Sequence, residues 1–185
     1  MSTTAYILSP NRAALGVPWN YQSFGVWVTG GGTGAGTVGV MSAGAETLGA
    51  SIPNAGTFIF LGVAGGKYAD ALGNPFNVFS DMAATVDFGL RTISFATMGS
   101  VVSADLITSV LNSNLNITGS LSYTAGTNQF TGAATTVGGG LANAPMSGTV
   151  TGRFYGPTAT EIGGTFALSG ANPTNGYLGA FGGTR

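Results

Sequence analysis

The stretch that decides the fold is MSGTVTGRFYGPTATEIGGTFALSGANPTNGYLGAFGGTR, residues 146–185. Small or apolar side chains alternate with polar ones before Gly156-Pro157, and an apolar alternation resumes after it at Ile162 and Phe166. A period of two on both sides of a Gly-Pro break is typical of two β-strands joined by a turn. The stretch therefore predicts a β-hairpin followed by a last strand at 178–184.

The spacing of the apolar residues also constrains the turn of this hairpin. The inner face is expected to carry Val150, Gly152, Phe154, Ile162, Gly164 and Phe166. Because side chains alternate between the two faces of a strand, this arrangement requires a connection with an odd number of residues. A turn over Gly156–Thr158 would place Arg153 opposite Glu161 on the outer face, where a pair of opposite charges adds roughly 0.2–1 kcal/mol.

Composition places the chain among globular proteins with an unusually uncharged surface. The 185 residues are enough for one domain, which at this length buries about 70% of its unfolded surface. Charged residues make up 6% of the sequence, whereas about 25% is typical. The five basic residues form no cluster, which disfavours nucleic acid as a partner. A surface so poor in charge favours association with other molecules.

The residue types needed for many catalytic sites are missing. Histidine and cysteine are absent, which excludes Ser-His-Asp and Cys-His sites and the usual zinc sites. The six acids are interpreted as carboxylates of turns and caps, and we expect no catalytic residue, no metal and no enzymatic activity. No apolar run reaches the ~18 residues of a membrane span. The glycines around 32–36 lack the lysine and the βαβ context of a phosphate-binding loop.

The alternation continues through most of the chain and predicts an all-β fold. Counted from Gly56, eight strands are joined mostly by short turns, which favours an eight-stranded antiparallel up-and-down β-barrel over residues 56–185. The first six predicted strands are 56–66, 81–88, 91–97, 115–124, 127–136 and the first arm of the last hairpin. The segment 67–79 is interpreted as a loop. The core candidates of the hairpin around Gly89-Leu90 are Val86, Phe88, Ile93 and Phe95.

The segment 99–114 differs in character and predicts a short helix. Ser103 has the side chain of an N-cap, and Asp105 would lie in the first turn. Leu106, Val110 and Leu111 would then share one face. At most one or two short helices are expected in the whole chain.

Residues 1–55 are predicted to be an N-terminal extension of the barrel. It contains one predicted strand, 21–29, and a glycine-rich loop, 30–39. The segment 40–55 is ambiguous, since 41–48 has the pattern of a single helical turn interrupted by glycine. Residues 1–20 are expected to be an extended lead-in that can lie across the body as an added strand.

Several motifs resemble the barrel domain of transferrin-binding protein B-like surface proteins. They are Gly152–Pro157 (GRFYGP), Glu161–Gly164 (EIGG) and Ala180–Arg185 (AFGGTR). The same pattern is similar to the C-terminal barrel of meningococcal factor H-binding protein. The framework residues that carry the resemblance are Gly152, Phe154, Tyr155, Gly156, Pro157, Glu161, Gly163, Gly164, Phe181, Gly182 and Gly183.

The resemblance implies a non-catalytic binding protein that lies on the surface of a Gram-negative cell or is released from it. It implies capture of a host protein or of haem, with contacts made by loops 67–79, 99–114 and 170–176 and by the N-terminal segment. No cofactor is expected, although haem would have only tyrosine or methionine as axial ligands. The alternative is a self-assembling subunit of a surface layer or filament, in which 3–8 pairs with a neighbouring copy.

Overall fold

The fold is all-β, as the alternation of side chains predicts. A computed structural model describes residues 19–30, 36–138 and 144–185, together with the backbone of 3–8. The twelve strands are β1 Thr3–Leu8, β2 Gln22–Thr29, β3 Thr37–Gly44, β4 Thr57–Ala69, β5 Pro75–Asp87, β6 Thr92–Ser103, β7 Val110–Leu111, β8 Ile117–Tyr123, β9 Gln129–Thr136, β10 Ser147–Tyr155, β11 Glu161–Ser169 and β12 Gly176–Thr184. Within the described residues, two short 3-10 helices cover Gly49–Ser51 and Ser113–Leu115.

Eight of these strands close into an antiparallel barrel, which confirms the predicted architecture. β4, β5, β6, β8, β9, β10, β11 and β12 each pair with the next strand in that order. β12 then pairs with β4, so that no strand of the barrel is left at an edge. The two-residue strand β7 lies beside the last part of β6.

The barrel is filled by its inward-facing side chains, many of them aromatic. Phe154 lies in the centre of a cluster in which its ring centroid is 5.3–6.4 Å from those of Phe60, Phe88, Tyr123 and Phe130. The predicted core residues of the hairpin around Gly89-Leu90, namely Val86, Phe88, Ile93 and Phe95, are all buried. Such a barrel is a packed core and leaves no channel.

The connection of the last hairpin has an odd number of residues, as predicted, but the predicted ion pair between Arg153 and Glu161 is wrong. The connection between β10 and β11 contains five residues, 156–160, where three were proposed. Because of the two extra residues, Arg153 lies opposite Gly163, and Glu161 lies opposite Tyr155. Arg153 Nη1 instead donates a hydrogen bond of 2.6 Å to Glu46 Oε2, at the segment that leads into β4.

Strands extend into two segments for which the sequence predicted a loop and a helix. The predicted loop 67–79 is wrong, since β4 and β5 continue through it and leave only 70–74 as a turn. The predicted helix in 99–114 is also wrong, because β6 extends to Ser103 and the rest is a loop with β7 and a 3-10 turn. Both strands are extended by pairing with neighbours in the barrel, and local sequence does not report this pairing.

The N-terminal segment contains three strands, where the sequence predicted one. β2 matches the predicted strand and pairs with β1 on one side and with β3 on the other, forming a separate antiparallel sheet. The lead-in thus adds strand β1, but to β2 rather than to the barrel. The helical turn proposed for 41–48 is wrong, because β3 occupies its first half. Of the predicted loop 30–39, residues 31–35 lie outside the described residues, and 37–39 belong to β3, so the end of the predicted loop is wrong.

This N-terminal sheet packs on the outer wall of the barrel. Phe24 on β2 contacts Trp19, with ring centroids 5.3 Å apart, and both rings bury Ala180 on β12. The segment after β3 joins the barrel through its backbone, since Thr47 N donates to Phe154 O and Gly156 N donates to Ala45 O. In the part of the chain that the structure describes, no helix has the length and apolar character needed to cross a bilayer.

Candidate functional site

The connections of the barrel are sorted by topology onto two ends with different properties. Successive strands run in opposite directions, so alternate connections lie at the same end. We call one end the turn end, with the short connections 88–91, 124–128 and 156–160. The other, the loop end, carries 70–74, 104–116, 170–175 and the described residues 137–138 and 144–146 of the β9–β10 connection. All three loops predicted to bind a partner therefore lie at the loop end.

The loops of the loop end are joined in two pairs by hydrogen bonds. Asn172 Nδ2 and Thr174 Oγ1 donate to Ala71 O, at 3.1 and 2.8 Å, and connect 170–175 with 70–74. Val137 N donates to Asn116 O at 2.8 Å, and Gly138 N donates to Asn114 O at 2.9 Å. These bonds fix the two described loops of each pair relative to one another.

Large apolar side chains are exposed on this surface. Ile107 is 88% exposed and Leu72 is 86% exposed. The other exposed apolar residues of the loop end are Leu106, Val110, Leu111 and Val137. These exposed apolar side chains make the loop end the candidate surface for a protein–protein contact.

The segment 103–108 holds its apolar residues outward through polar contacts with its own backbone. Asp105 Oδ1 accepts hydrogen bonds of 2.9 Å from the N–H groups of Ile107 and Thr108, and Ser103 Oγ accepts one of 2.8 Å from Leu106 N. The bonds from Thr108 and Ile107 keep the pKa of Asp105 below its ordinary value. Leu106 has a φ of 65°, a left-handed conformation that costs a non-glycine residue roughly 1–3 kcal/mol.

The turn 70–74 is organised in a similar way by Asp70. Its carboxylate accepts hydrogen bonds from Asn74 Nδ2, Asn74 N and Leu72 N, at 2.8–2.9 Å. The bond from the Asn74 side chain is the main cause that lowers the pKa of Asp70. Nearby on β4, burial lowers the pKa of Lys67. The carboxylates of the loop end are thus engaged in shaping their own loops.

The inward-facing framework residues pack the barrel core. Phe154 is surrounded by aromatic rings, and the centroid of the Phe181 ring lies 4.7 Å from that of Phe95. Gly152 lies opposite Gly164 across β10 and β11, where the rings of Phe130 and Phe181 occupy the space of the missing side chains. Their contacts lie within the barrel and reach no loop of the loop end.

The outward-facing framework residues receive the N-terminal sheet. A Cβ atom on Gly163 would overlap the side chain of Gln22, and one on Gly182 would overlap the ring of Phe24. Gln22 Nε2 donates to Ile162 O at 2.8 Å and to Gly183 O at 3.2 Å. The glycines of β11 and β12 thus let β2 approach the barrel wall closely.

Glu161 forms the polar part of this junction. It is 2% exposed, and its carboxylate accepts hydrogen bonds from Asn20 N at 2.5 Å and from Tyr21 N at 3.1 Å. Burial raises the pKa of Glu161, and the backbone hydrogen bonds oppose this shift. A charge taken out of water is tolerated here because several donors satisfy it.

The remaining framework residues lie where β10 turns beside the N-terminal sheet. The hydroxyl of Tyr155 is 3.0 Å from Ser42 Oγ, and burial raises the pKa of Tyr155. Gly156 lies against the ring of Tyr21, and Pro157 is exposed in the five-residue turn. The framework motif therefore spans the core, the junction and the turn end, away from the candidate binding surface.

The sequence predicted which loops lie together better than it predicted their extent, and their binding role stays a prediction. The structure brings 70–74, 104–116 and 170–175 to one end, but sequence reasoning omitted Val137 and the β9–β10 connection from this surface. The sequence around Val137 does not indicate that its side chain is exposed, because an apolar residue at the end of a strand can equally well be buried in the core. Its place at the loop end follows only from the antiparallel order of the strands.

The barrel and its N-terminal sheet define a class of β-barrel domains that occurs in transferrin-binding proteins. Residues 41–185 match the family model described as the C-lobe and N-lobe beta barrels of Tf-binding protein B. The match covers most of the chain, and the protein belongs to this family.

Solved structures show the same fold. A mutant of the vaccine antigen Transferrin Binding Protein B from Haemophilus parasuis Hp5 is 22% identical, with a TM-score of 0.72 over 99% of this chain and 35% of that one. Isotype 1 Transferrin binding protein B from serogroup B Neisseria meningitidis is 21% identical, with a TM-score of 0.64 over 90% of this chain and 31% of that one. A protein described only as a surface lipoprotein is 15% identical, with a TM-score of 0.60 over 97% and 80%.

The chain corresponds to about a third of the length of these transferrin-binding relatives. A comparison with curated protein sequences finds no significant match.

Proposed function

We propose that the protein is a non-catalytic binding protein that lies on, or is released from, the surface of a Gram-negative cell and captures a host protein of the transferrin type. The observation that carries this proposal is the apolar loop end of a barrel of the transferrin-binding protein B family. An apolar contact surface stiffened by internal hydrogen bonds suits a protein partner, since little entropy is lost on binding.

Binding to iron-loaded and iron-free transferrin tests the proposal directly. The purified chain is immobilised, and each transferrin is passed over it at concentrations up to tens of micromolar. Saturable binding that is weakened by Leu72→Asp at the loop end and unaffected by Leu90→Asp at the turn end supports the proposal. Both leucines are exposed in the free protein, so the two variants are matched in the exposure of the substituted side chain. Absence of saturable binding to either form contradicts the choice of transferrin.

Haem is a second ligand to be tested on the same preparation. Tyr21, Met41 and Met98 are the tyrosine and methionine side chains that the described part of the chain exposes to solvent by a third or more. Tyrosine is an established axial ligand of haem iron, as is methionine together with histidine. Titration with hemin should shift its Soret band if one of them binds the iron. A spectrum identical to that of hemin mixed with a non-binding control protein removes haem from consideration.

Self-association is the alternative function, and β1 favours it. β1 lies at the edge of the N-terminal sheet, and its sequence TTAYIL has no charge or proline of the kind that usually protects an edge strand. Donation of β1 to a neighbour would require it to leave β2, with which it pairs in its own chain. Light scattering of the full chain and of a chain lacking 1–8 decides this point. Monomers at all concentrations exclude the alternative.

A further inference from the structure

The N-terminal sheet is open at both edges, whereas the barrel is closed. In the part of the chain that the structure describes, β1 forms one edge and β3 the other, and the only other edge strand is the two-residue β7. Neither β1 nor β3 contains a charged residue or a proline, which usually protect an edge, since their sequences are TTAYIL and TVGVMSAG. An unprotected edge is a template for another strand, so this sheet can be extended on both sides.

The hydrogen bonds of β3 identify the backbone groups that face its free edge. Ala45 N donates to Tyr21 O at 2.8 Å, one position beyond the pair formed by residues 22 and 44. Because hydrogen-bonded and non-hydrogen-bonded pairs alternate between antiparallel strands, every second residue of β3 counted from Ala45 bonds to β2. The residues between them direct their N–H and C=O groups away from β2. Within 38–42 these are Val38, Val40 and Ser42.

The backbone of β1 presents a matching row at the other edge. Since β2 bonds to β3 through alternate residues, its residues 24, 26 and 28 bond to residues 8, 6 and 4 of β1. The N–H and C=O groups of Thr3, Ala5 and Ile7 therefore point away from β2. Each edge thus offers three positions, two residues apart, that can pair along the full length of β1.

The described barrel leaves space beside β3. A groove with a volume of about 230 Å³ lies between Ser42 and the outer wall of β9, β10 and β11. The side chains that line it are Ser42, Gln129, Thr151, Arg153, Tyr155 and Thr165. A formal net charge of −1 gives two copies of the chain little electrostatic repulsion. A second copy can therefore bring an uncharged strand to this edge.

We propose that copies of the chain associate edge to edge, with β1 of one copy adding antiparallel to β3 of the next. The contact rests on the alternative function, self-association, and specifies it, since β1 stays paired with β2 in its own chain. Thr3 of one copy then lies opposite Ser42 of the next, and Ile7 lies opposite Val38. Because every copy keeps one free β1 edge or β3 edge at each end, the assembly is open-ended.

The direction of the pairing follows from the space that the barrels need. β1 and β3 run parallel within one chain, because both are antiparallel to β2. Antiparallel addition therefore places neighbouring barrels on opposite faces of the extended sheet. Parallel addition would place them on the same face, three strands or about 14 Å apart. An eight-stranded barrel is roughly 15 Å wide between its backbones alone, so such neighbours would collide.

Sedimentation velocity over a range of concentrations tests the β3 edge with a matched pair of variants. Val38→Pro removes an N–H group that faces the free edge and keeps the bonds to β2, so the concentration needed for assembly should rise roughly tenfold or more. Val38→Thr keeps the N–H group and the branched shape and should stay within about twofold of wild type. Assembly of Val38→Pro at the wild-type concentration overturns the proposal.

A disulfide distinguishes edge addition from donation of β1. Thr3 and Thr29 lie opposite each other in a non-hydrogen-bonded pair, where Cα atoms are about 4.5 Å apart, a distance that a disulfide spans. The chain has no cysteine, so Thr3→Cys with Thr29→Cys forms a single defined bond that holds β1 on β2. The oxidised variant should assemble as its reduced form does. Assembly that is lost on oxidation and returns on reduction shows strand donation and overturns the proposal.

Failure of this contact can be told apart from failure of the proposed functions. A wild-type chain that is monomeric at every concentration overturns both self-association and the edge contact, and leaves the transferrin experiment unaffected. Oligomers that stop at a dimer keep self-association and overturn the open-ended contact. A chain lacking 1–8 removes the added strand and leaves β3 intact, so it tests the same contact if Val38→Pro also loosens β2. Assembly that survives this deletion overturns the proposal.

Discussion

The turn end has short connections over an aromatic cluster, whereas the loop end has longer connections that are tied in pairs by hydrogen bonds and expose several apolar residues. At the turn end Phe58, Phe88 and Phe154 pack together, and the guanidinium of Arg185 lies 4.2 Å from the centroid of Phe58 and donates to Thr158 O. Beneath the loop end Tyr68 packs on Phe76 and Phe166 packs on Tyr177, whereas Ile107 in the loops above is 88% exposed. The two ends therefore differ in their connections, and we expect the cluster around Phe154 to contribute strongly to stability and the longer loops of the loop end to be the surface available for binding.

The largest effect should come from the aromatic cluster. Phe154→Ala removes a fully buried ring and should lower the free energy of unfolding by about 3–5 kcal/mol. Chemical denaturation of the variant and of wild type measures the difference. Phe154→Leu, which keeps most of the apolar volume, is the milder control. A loss below about 1 kcal/mol for the alanine variant would contradict the view that the turn end holds the barrel together.

A smaller effect is expected at the junction with the N-terminal sheet. Gly182→Ala places a methyl group in the space of the Phe24 ring and should destabilise the junction by about 1–3 kcal/mol. Amide exchange should then increase in β2 and β3 and stay unchanged in the barrel. Gly176→Ala on the same strand is the control, because its nearest neighbour lies 3.6 Å away. Equal exchange in the two variants would show that close approach at Gly182 is unimportant.

The exposed ion pair between Arg153 and Glu46 should contribute little. Its side chains are 42% and 47% exposed, so solvent screening limits its contribution to less than about 1 kcal/mol. A double-mutant cycle with Arg153→Gln and Glu46→Gln, repeated at high salt, measures the coupling. A coupling well above this limit would assign the pair a larger part in fixing the segment before β4.

The most local effect is expected from a change of pH. Acid should change local stability in opposite directions in the loops of the loop end and at the junction around Glu161. The pKa values of Asp70 and Asp105 are lowered, so their stabilisation is present above the ordinary aspartate range and is lost as the pH falls below it. The pKa of Glu161 is raised, so its junction should become more stable as the pH falls from neutral through that raised value. Amide exchange corrected for intrinsic rates should therefore rise in the loops in acid and not at Asn20 and Tyr21. Parallel changes in both regions would contradict these signs.

The fold could be predicted because a period of two survives in nearly every strand. The inner-face residues Val150, Phe154, Ile162 and Phe166 are all buried, and the parity argument gave the correct odd connection. The length of that connection could not be predicted, since three and five residues satisfy the same parity. The predicted partner of Arg153 was wrong because the connection is two residues longer than proposed.

The loop end was harder to predict because its local signals are ambiguous. Ser103 does accept a hydrogen bond from Leu106 N, three residues ahead, as an N-cap would. Serine and aspartate make the same bonds in turns, and no helix follows because Leu106 is left-handed. The apolar residues after Ser103 are exposed in a loop, where sequence reasoning expected the buried face of a helix.

Closure of the barrel also dictates when the protein can fold. β4 pairs with β12, so that Leu61 meets Thr184 across almost the whole length of the barrel sequence. While the chain emerges from the ribosome or crosses a membrane in the N-to-C direction, β4 lacks this neighbour until nearly every residue has arrived. Long-range strand pairing of this kind is slow and leaves edges open to aggregation. A chaperone that shields β4 during transit would meet a need that the topology itself creates.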